Sequence, residues 1–225
     1  VFGASDRAIA MILVHDLVEI DAGDQPIHLD HDAAALRLAE EAAAARIFGL
    51  MPEGAALADL WRAFEAAGCD DARMAKRMDH VQPLFQVLQA GAPLPDHVEI
   101  VRANLERGRA ARMVREWPDA AAAARNLLAQ QGLPDSDLGR RLAFLAEADG
   151  LKSVHRANTL IDGSRHENSA EHSWHLALYA LVLAPLAGPG VDIGRVIRML
   201  LIHDLVEIDV GDVPLHSAGG QAHGS

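Results

Sequence analysis

The chain carries one string of acids and imidazole twice, as ILVHDLVEIDAGD from Ile12 and as LIHDLVEIDVGD from Leu201. On a helix, His15 and Glu19 stand four residues apart and share a face, with Asp16 beside His15. His203, Asp204 and Glu207 repeat that relation. Imidazole nitrogen and carboxylate oxygen side by side form half of a metal site. Such a donor set suits Mn, Fe, Co, Ni, Zn or Mg, because no thiolate is present to select zinc alone. The surrounding residues are Leu and Val, and charge embedded in an apolar helix must be paired or metal-bound. A single His-Asp pair is more often structural than ligating, and the duplication moves the balance toward chemistry. Two further candidates are His172 in ENSAEHSWHLAL and Asp79 in AKRMDHVQPLFQVL. Taken alone, the first reads as a core histidine and the second as a capping or solvated acid.

Helices must position these residues. Ile9, Ile12, Leu13, Leu17 and Ile20 follow three-and-four spacing, which predicts one helix over 7–20 that stops at Gly23. Asp32 is a predicted N-cap for AAALRLAEEAAAARIFGL, closed by Gly49 and Pro52. Further helices are predicted over 55–67, 70–89, 96–112 and 118–131. The loop GLPDSD then separates two blocks. The second block holds a helix over 137–148, the irregular stretch LKSVHRANTLIDGSRHENS, a long apolar helix from Ala170 to PLAGPG, and a last helix over 193–208. The tail SAGGQAHGS shows no packing signal and is expected to be mobile. Residues 5–28 and 193–216 share 15 of 24 positions, so the element is duplicated. The helices flanking one copy have no counterpart around the other, and the chain is not two complete repeats.

Bulk composition narrows the class. Of 225 residues half are apolar, only 4% are aromatic, and Ala and Leu dominate, which predicts an all-α chain with a sizeable core. A net charge of −12 excludes a nonspecific grip on nucleic acid or on an anionic membrane. Any anionic substrate must therefore be met by local positive charge. Cys69 is the single cysteine, so no intrachain disulfide can form and a reducing compartment is expected. With no signal-peptide pattern at the start and no long apolar run, the expected location is the cytoplasm. Neither a Gly-rich phosphate loop, an HExxH helix nor a nucleophile elbow occurs, which leaves serine and cysteine nucleophile chemistry unsupported.

Together the motifs resemble the HD-domain metal-dependent phosphohydrolases. LKSVHR, RHENSAEHSWHLAL and HDLVEIDVGDVP resemble the start of the 5′-deoxyribonucleotidase-like branch, and ARMAKRMDHVQPLFQ resembles its later aspartate helix. The resemblance implies a divalent metal ion held by His172, one His-Asp pair (His15 and Asp16, or His203 and Asp204) and Asp79. It assigns catalytic assistance to Glu19 and Asp24 in copy one or Glu207 and Asp212 in copy two, and phosphate binding to Arg156. An arginine suits that task because its planar fork donates two parallel hydrogen bonds. The implied substrate is a small phosphate ester, a nucleoside 5′-monophosphate or a relative of it. The departure is in order, since the aspartate block here precedes EHS and the His-Asp helix flanks both. That arrangement implies one circularly permuted HD-domain helical bundle, with a C-terminal-type block at 1–131, an N-terminal-type block at 137–216 and a tail at 217–225. About 201 residues remain once the duplicate is set aside, which fits one compact domain.

One domain needs one His-Asp helix, so the other copy is spare. Copy two is preferred as the metal-binding one, because it connects directly to the EHS helix; copy one has an equally direct link to the Asp79 block. A spare apolar helix is an association site, which predicts a homodimer, domain-swapped in one arrangement. The rival expectations are a catalytically impaired metal-binding or oligomerising module and an HD phosphodiesterase acting on another ester. The remaining motif-like residues read more plainly. His31-Asp32 marks a helix cap, His28 and His216 are loop histidines near the motif, and Trp174 is either core or a stacking surface.

Overall fold

The computed structural model describes residues 5–25, 32–108 and 111–213. The expectations for His28, His31, His216 and the tail fall outside these residues. The chain divides into two compact units, Val1–Gly139 and Arg140–Ser225. The division lies just beyond the GLPDSD loop.

The first unit is helical throughout its described residues. Its elements are α1 (Asp6–Val14), a 3-10 turn over His15–Val18, α2 (Glu19–Ala22), α3 (Ala33–Phe48), α4 (Gly54–Ala66), α5 (Asp70–Gln89), α6 (Pro95–Arg107), α7 (Ala111–Glu116) and α8 (Pro118–Leu128). Ser5 caps α1 by accepting from the Ala8 amide, and Asp32 caps α3 through the amides of Ala34 and Ala35, as its position predicts. The apolar side of α1 packs against α4 and α5. Met11 there meets Phe64, Ala72 and Ala75 in a buried cluster, and the two alanines let the helices approach closely.

The second unit contains most of α9 (Asp137–Ala148), a 3-10 turn over Asp149–Ser153, and strands β1 (His155–Thr159) and β2 (His166–Asn168). It continues with α10 (Ser169–Val182), a 3-10 turn over Ala184–Leu186, α11 (Ile193–Leu200) and α12 (Glu207–Val210). The stretch expected to be irregular thus holds one antiparallel hairpin, pairing His155 with Asn168 and Thr159 with His166. The rest of the described chain bears out the all-α reading. Asn168 and Glu171 form a reciprocal capping box that starts α10 directly from β2, and α10 packs on α11.

The helices over 7–20 and 193–208 are not continuous: the first breaks at His15 and the second at Leu201, two residues before His203. His15 Nδ1 lies 2.7 Å from the Ile12 carbonyl, and His203 Nδ1 lies 2.6 Å from the Leu200 carbonyl. In an α-helix those carbonyls would accept from the amides of Asp16 and Asp204. The imidazole takes that place, and the chain tightens into three-residue turns such as Glu207 N–H to the Asp204 carbonyl at 2.9 Å. Each short helix after the break ends at a glycine with positive φ, 75° at Gly23 and 74° at Gly211. The helix expected over 96–112 is likewise divided, because α6 closes on Gly108, whose amide donates to the Asn104 carbonyl at 3.0 Å.

The duplicated helix meets two different environments. Met11, Val14 and Val18 are 0%, 0% and 3% exposed, while their counterparts Met199, Ile202 and Val206 are 58%, 52% and 69% exposed. In the first unit α4 and α5 cover that face. In the second unit the corresponding face of α11 stays exposed.

Candidate metal centres

In the second unit, donor atoms of His172, His203 and Asp204 all lie within 4.8 Å of one another. His172 stands in the first turn of α10, held there by the capping box. Arg165 reinforces that start with two hydrogen bonds to Glu171, at 2.6 and 2.9 Å, which hold the Glu171 carboxyl below its usual range. His203 and Asp204 sit in the break after α11. A carbonyl cannot donate, so the contact with the Leu200 carbonyl places the His203 proton on Nδ1. The other ring nitrogen, Nε2, lies 2.8 Å from Asp204 Oδ1, so two potential ligand atoms sit side by side. Two nitrogens and one carboxylate oxygen, with ring orientation fixed by a backbone carbonyl, fit a divalent cation.

Acids and one arginine surround this triad. Arg156, on β1, reaches Asp204 at 3.4 Å, Glu167 at 3.5 Å, Asp212 at 3.6 Å and Glu207 at 3.8 Å. All five side chains are largely buried, with exposures between 10% and 16%. One guanidinium thus pairs with four carboxylates and offsets only part of their charge. Glu207 is also fixed by the buried Ser169 hydroxyl, which donates to it at 2.7 Å. The residue expected to hold phosphate is therefore engaged with acids, and phosphate would have to exchange for some of those contacts.

In the first unit, His15, Asp16 and Asp79 converge. His15 Nε2 lies 3.0 Å from Asp16 Oδ1 and 3.6 Å from Asp79 Oδ1, while Nδ1 is taken by the Ile12 carbonyl. The ring packs against Phe64, with centroids 4.8 Å apart. Burial works to lower the His15 pKa, but hydrogen bonds to Asp16 and Asp79 outweigh it and raise the value to about 10. Asp79 is held below its usual range, because its bonds and attraction to His15 outweigh a burial effect of opposite sign. Glu19 is raised to about 7, first by burial and then by repulsion from Asp16, Asp24 and Asp79. A carboxyl near neutrality suits proton transfer in either direction. The Asp24 side of this group is open to solvent.

Every described candidate thus falls into one of two groups. His15, Asp16, Asp79, Glu19 and Asp24 belong to the first unit; His172, His203, Asp204, Arg156, Glu207 and Asp212 belong to the second. The two His-Asp pairs are buried in opposite senses. His15 is tucked under Phe64 with Asp16 60% exposed, whereas Asp204 lies under Arg156 with His203 37% exposed. Glu167 and Ser169 escaped the sequence reading, although RHENS contains both. Their roles depend on the unforeseen hairpin, which turns them toward Arg156 and Glu207. Trp174 is 41% exposed and stacks on His175, with ring centroids 6.0 Å apart.

Among the described residues, no helix is long and apolar enough to cross a membrane. The crystal structure of a predicted metal-dependent phosphohydrolase from Magnetospirillum magnetotacticum MS-1 matches with 53% identity. The match covers 38% of this chain and 43% of that one, with a TM-score of 0.37. The chain therefore spans less than half the length of this relative. No protein of curated function matches. The sequence pattern of the HD domain matches residues 4–121 and 148–224, which take in both His-Asp pairs, Asp79 and His172. With most of its length matched in these two stretches, the chain belongs to the HD domain family.

Proposed function

We propose that the chain is a divalent-metal-dependent phosphohydrolase that removes phosphate from nucleoside 5′-monophosphates or related small phosphate esters in the cytoplasm. The observation that carries this reading is the convergence of His172, His203 and Asp204 beside a buried arginine. A divalent ion held by this triad would polarise a phosphoryl oxygen and lower the pKa of a bound water. Arg156 supplies the local positive charge that an acidic protein needs to receive a phosphate. Glu207, anchored by Ser169, and Asp212 contact the same guanidinium, and in this reading they pass protons to the departing nucleoside oxygen. In the first unit, Glu19 and Asp24 stand in the corresponding relation to His15 and Asp16.

In the full reading, the units are the two blocks of one permuted HD domain, 1–131 and 137–216. A homodimer that exchanges blocks would give both His-Asp copies a role. The open face of α11, whose counterpart on α1 is buried, supports association with a second copy. One observation favours the impaired, metal-binding module instead: each unit gathers only three side chains of the expected four-ligand set.

The test is a panel of nucleoside 5′-monophosphates, a cyclic nucleotide and a nucleoside triphosphate, assayed with Mn, Co and Mg. Phosphate release from a monophosphate, abolished by Asp204→Asn, is expected. Turnover confined to the cyclic nucleotide would favour the phosphodiesterase reading. If metal-treated protein turns over no phosphomonoester and His172→Ala leaves its metal content unchanged, the proposal fails.

A further inference from the structure

Glu167 has no place in the roles above, yet it occupies a junction between two of them. It is the middle residue of β2, directly before the N-cap Asn168. Its backbone is fixed by the hairpin on one side and by the capping box on the other. Its side chain is 13% exposed. One carboxylate oxygen, Oε1, lies 3.5 Å from His172 Nδ1 and 3.5 Å from Arg156 Nε. Arg156 Nε is buried and makes no hydrogen bond, so Glu167 Oε1 meets it as an ion pair. The other three carboxylates around Arg156 all approach Nη1.

We infer that Glu167 is the positioning residue of the second unit's site, a single acceptor that sets the ring of His172 and the fork of Arg156 at once. The inference rests on the metal reading of that site. A ring whose Nδ1 faces a fixed acceptor keeps its proton there and presents the Nε2 lone pair. Glu167 thus does for His172 what the Leu200 carbonyl does for His203. As the ion-pair partner on the Nε side, it also draws the guanidinium from that edge while Nη1 spans Asp204, Glu207 and Asp212. Because both contacts use the same oxygen, a displacement of Glu167 disturbs the metal ligand and the phosphate-binding arginine together. The alternative is that Glu167 only balances the charge of Arg156, which any carboxylate within several ångströms would do.

Two near-isosteric variants of the full chain separate these roles. Glu167→Gln keeps an oxygen acceptor in place and loses the charge; Glu167→Asp keeps the charge and withdraws the acceptor by one methylene. Co²⁺ affinity is read by calorimetry, and the His172 tautomer is read by nitrogen-15 NMR on metal-free protein. E167D is expected to bind Co²⁺ about 10-fold more weakly or worse, with loss of the Nδ1–H form of His172. E167Q is expected to stay within a few-fold of the parent in affinity and to keep that form. The reverse pattern, or no change in either variant, overturns the inference. If the parent chain binds no Co²⁺, it is the metal reading that fails, and the His172 tautomer in E167D and E167Q still decides the role of Glu167.

Discussion

Nε2 of His15 lies 3.6 Å from Oδ1 of Asp79, so the helix break after α1 and the middle of α5 share one imidazole. Without metal, that ring is held by carboxylates on two elements, and its pKa of about 10 exceeds its ordinary value of 6.5. A group whose folded-state pKa is raised stabilises the fold fully below its unfolded pKa, and that contribution is lost as pH rises through the folded value. Glu19, raised from 4.5 to about 7, has the same sign over a lower range. The stability of EDTA-treated protein should therefore fall from about pH 5 to pH 10, with His15 contributing a slope of at most about 1.4 kcal/mol per pH unit above pH 6.5. Urea unfolding across that range checks it, and Asp79→Asn should flatten the upper part.

Met11 and Met199 occupy the same place in the duplicated helix but differ from 0% to 58% in exposure. Met11→Ala should cost about 2–5 kcal/mol, as expected for a cavity in a packed core. Met199→Ala should change stability by about 0.5 kcal/mol or less. Comparable losses on denaturant unfolding would show that the outer face of α11 is covered in solution.

Ile202 and Val206 are 52% and 69% exposed, and a second copy is the proposed occupant of their face. Ile202→Glu with Val206→Glu should shift the chain from dimer to monomer in sedimentation velocity. A parent chain that is monomeric at all concentrations would rule out the homodimer.

Arg156 is the cation common to Asp204, Glu207, Asp212 and Glu167. Arg156→Ala should tighten Co²⁺ binding, because a competing positive charge leaves Asp204, while raising KM for a phosphate ester at least 10-fold. Arg156→Lys should restore the charge but not the fork, and KM should recover only in part. Calorimetry and steady-state kinetics on the same preparations would show whether the two effects move in these opposite directions.

The hydrogen bond from Ser169 to Glu207 joins the first residue of α10 to the short helix beyond the His-Asp break. Ser169→Ala should destabilise the chain by about 1–3 kcal/mol, since it leaves a largely buried carboxylate short of a donor. A larger loss in kcat than in 1/KM is the expected kinetic signature of a misplaced proton-transfer group.

Local chemistry was legible in the residue string. The Asp32 cap, the glycine stop at position 23, the helical spacing around Met11 and the duplicated His-Asp motif all follow from interactions within a turn or two. The resemblance to HD-domain proteins rests on those same short strings. The breaks after α1 and α11 were not legible, because they depend on whether an imidazole or a backbone amide takes the Ile12 and Leu200 carbonyls. The small hairpin was missed as well, and Glu167 and Ser169 with it, since its strands carry no alternating pattern strong enough to mark them.

The sequence by itself determined which groups can ligate, donate and neutralise, and it made His15 and His203 chemically alike. Only the tertiary structure decided how that likeness is spent. Phe64 and Asp79 on neighbouring helices bury the ring of one copy, whereas Arg156 on a strand buries the carboxylate of the other. The reason is that burial and charge pairing are properties of neighbours brought together by packing, and identical heptapeptides do not specify different neighbours.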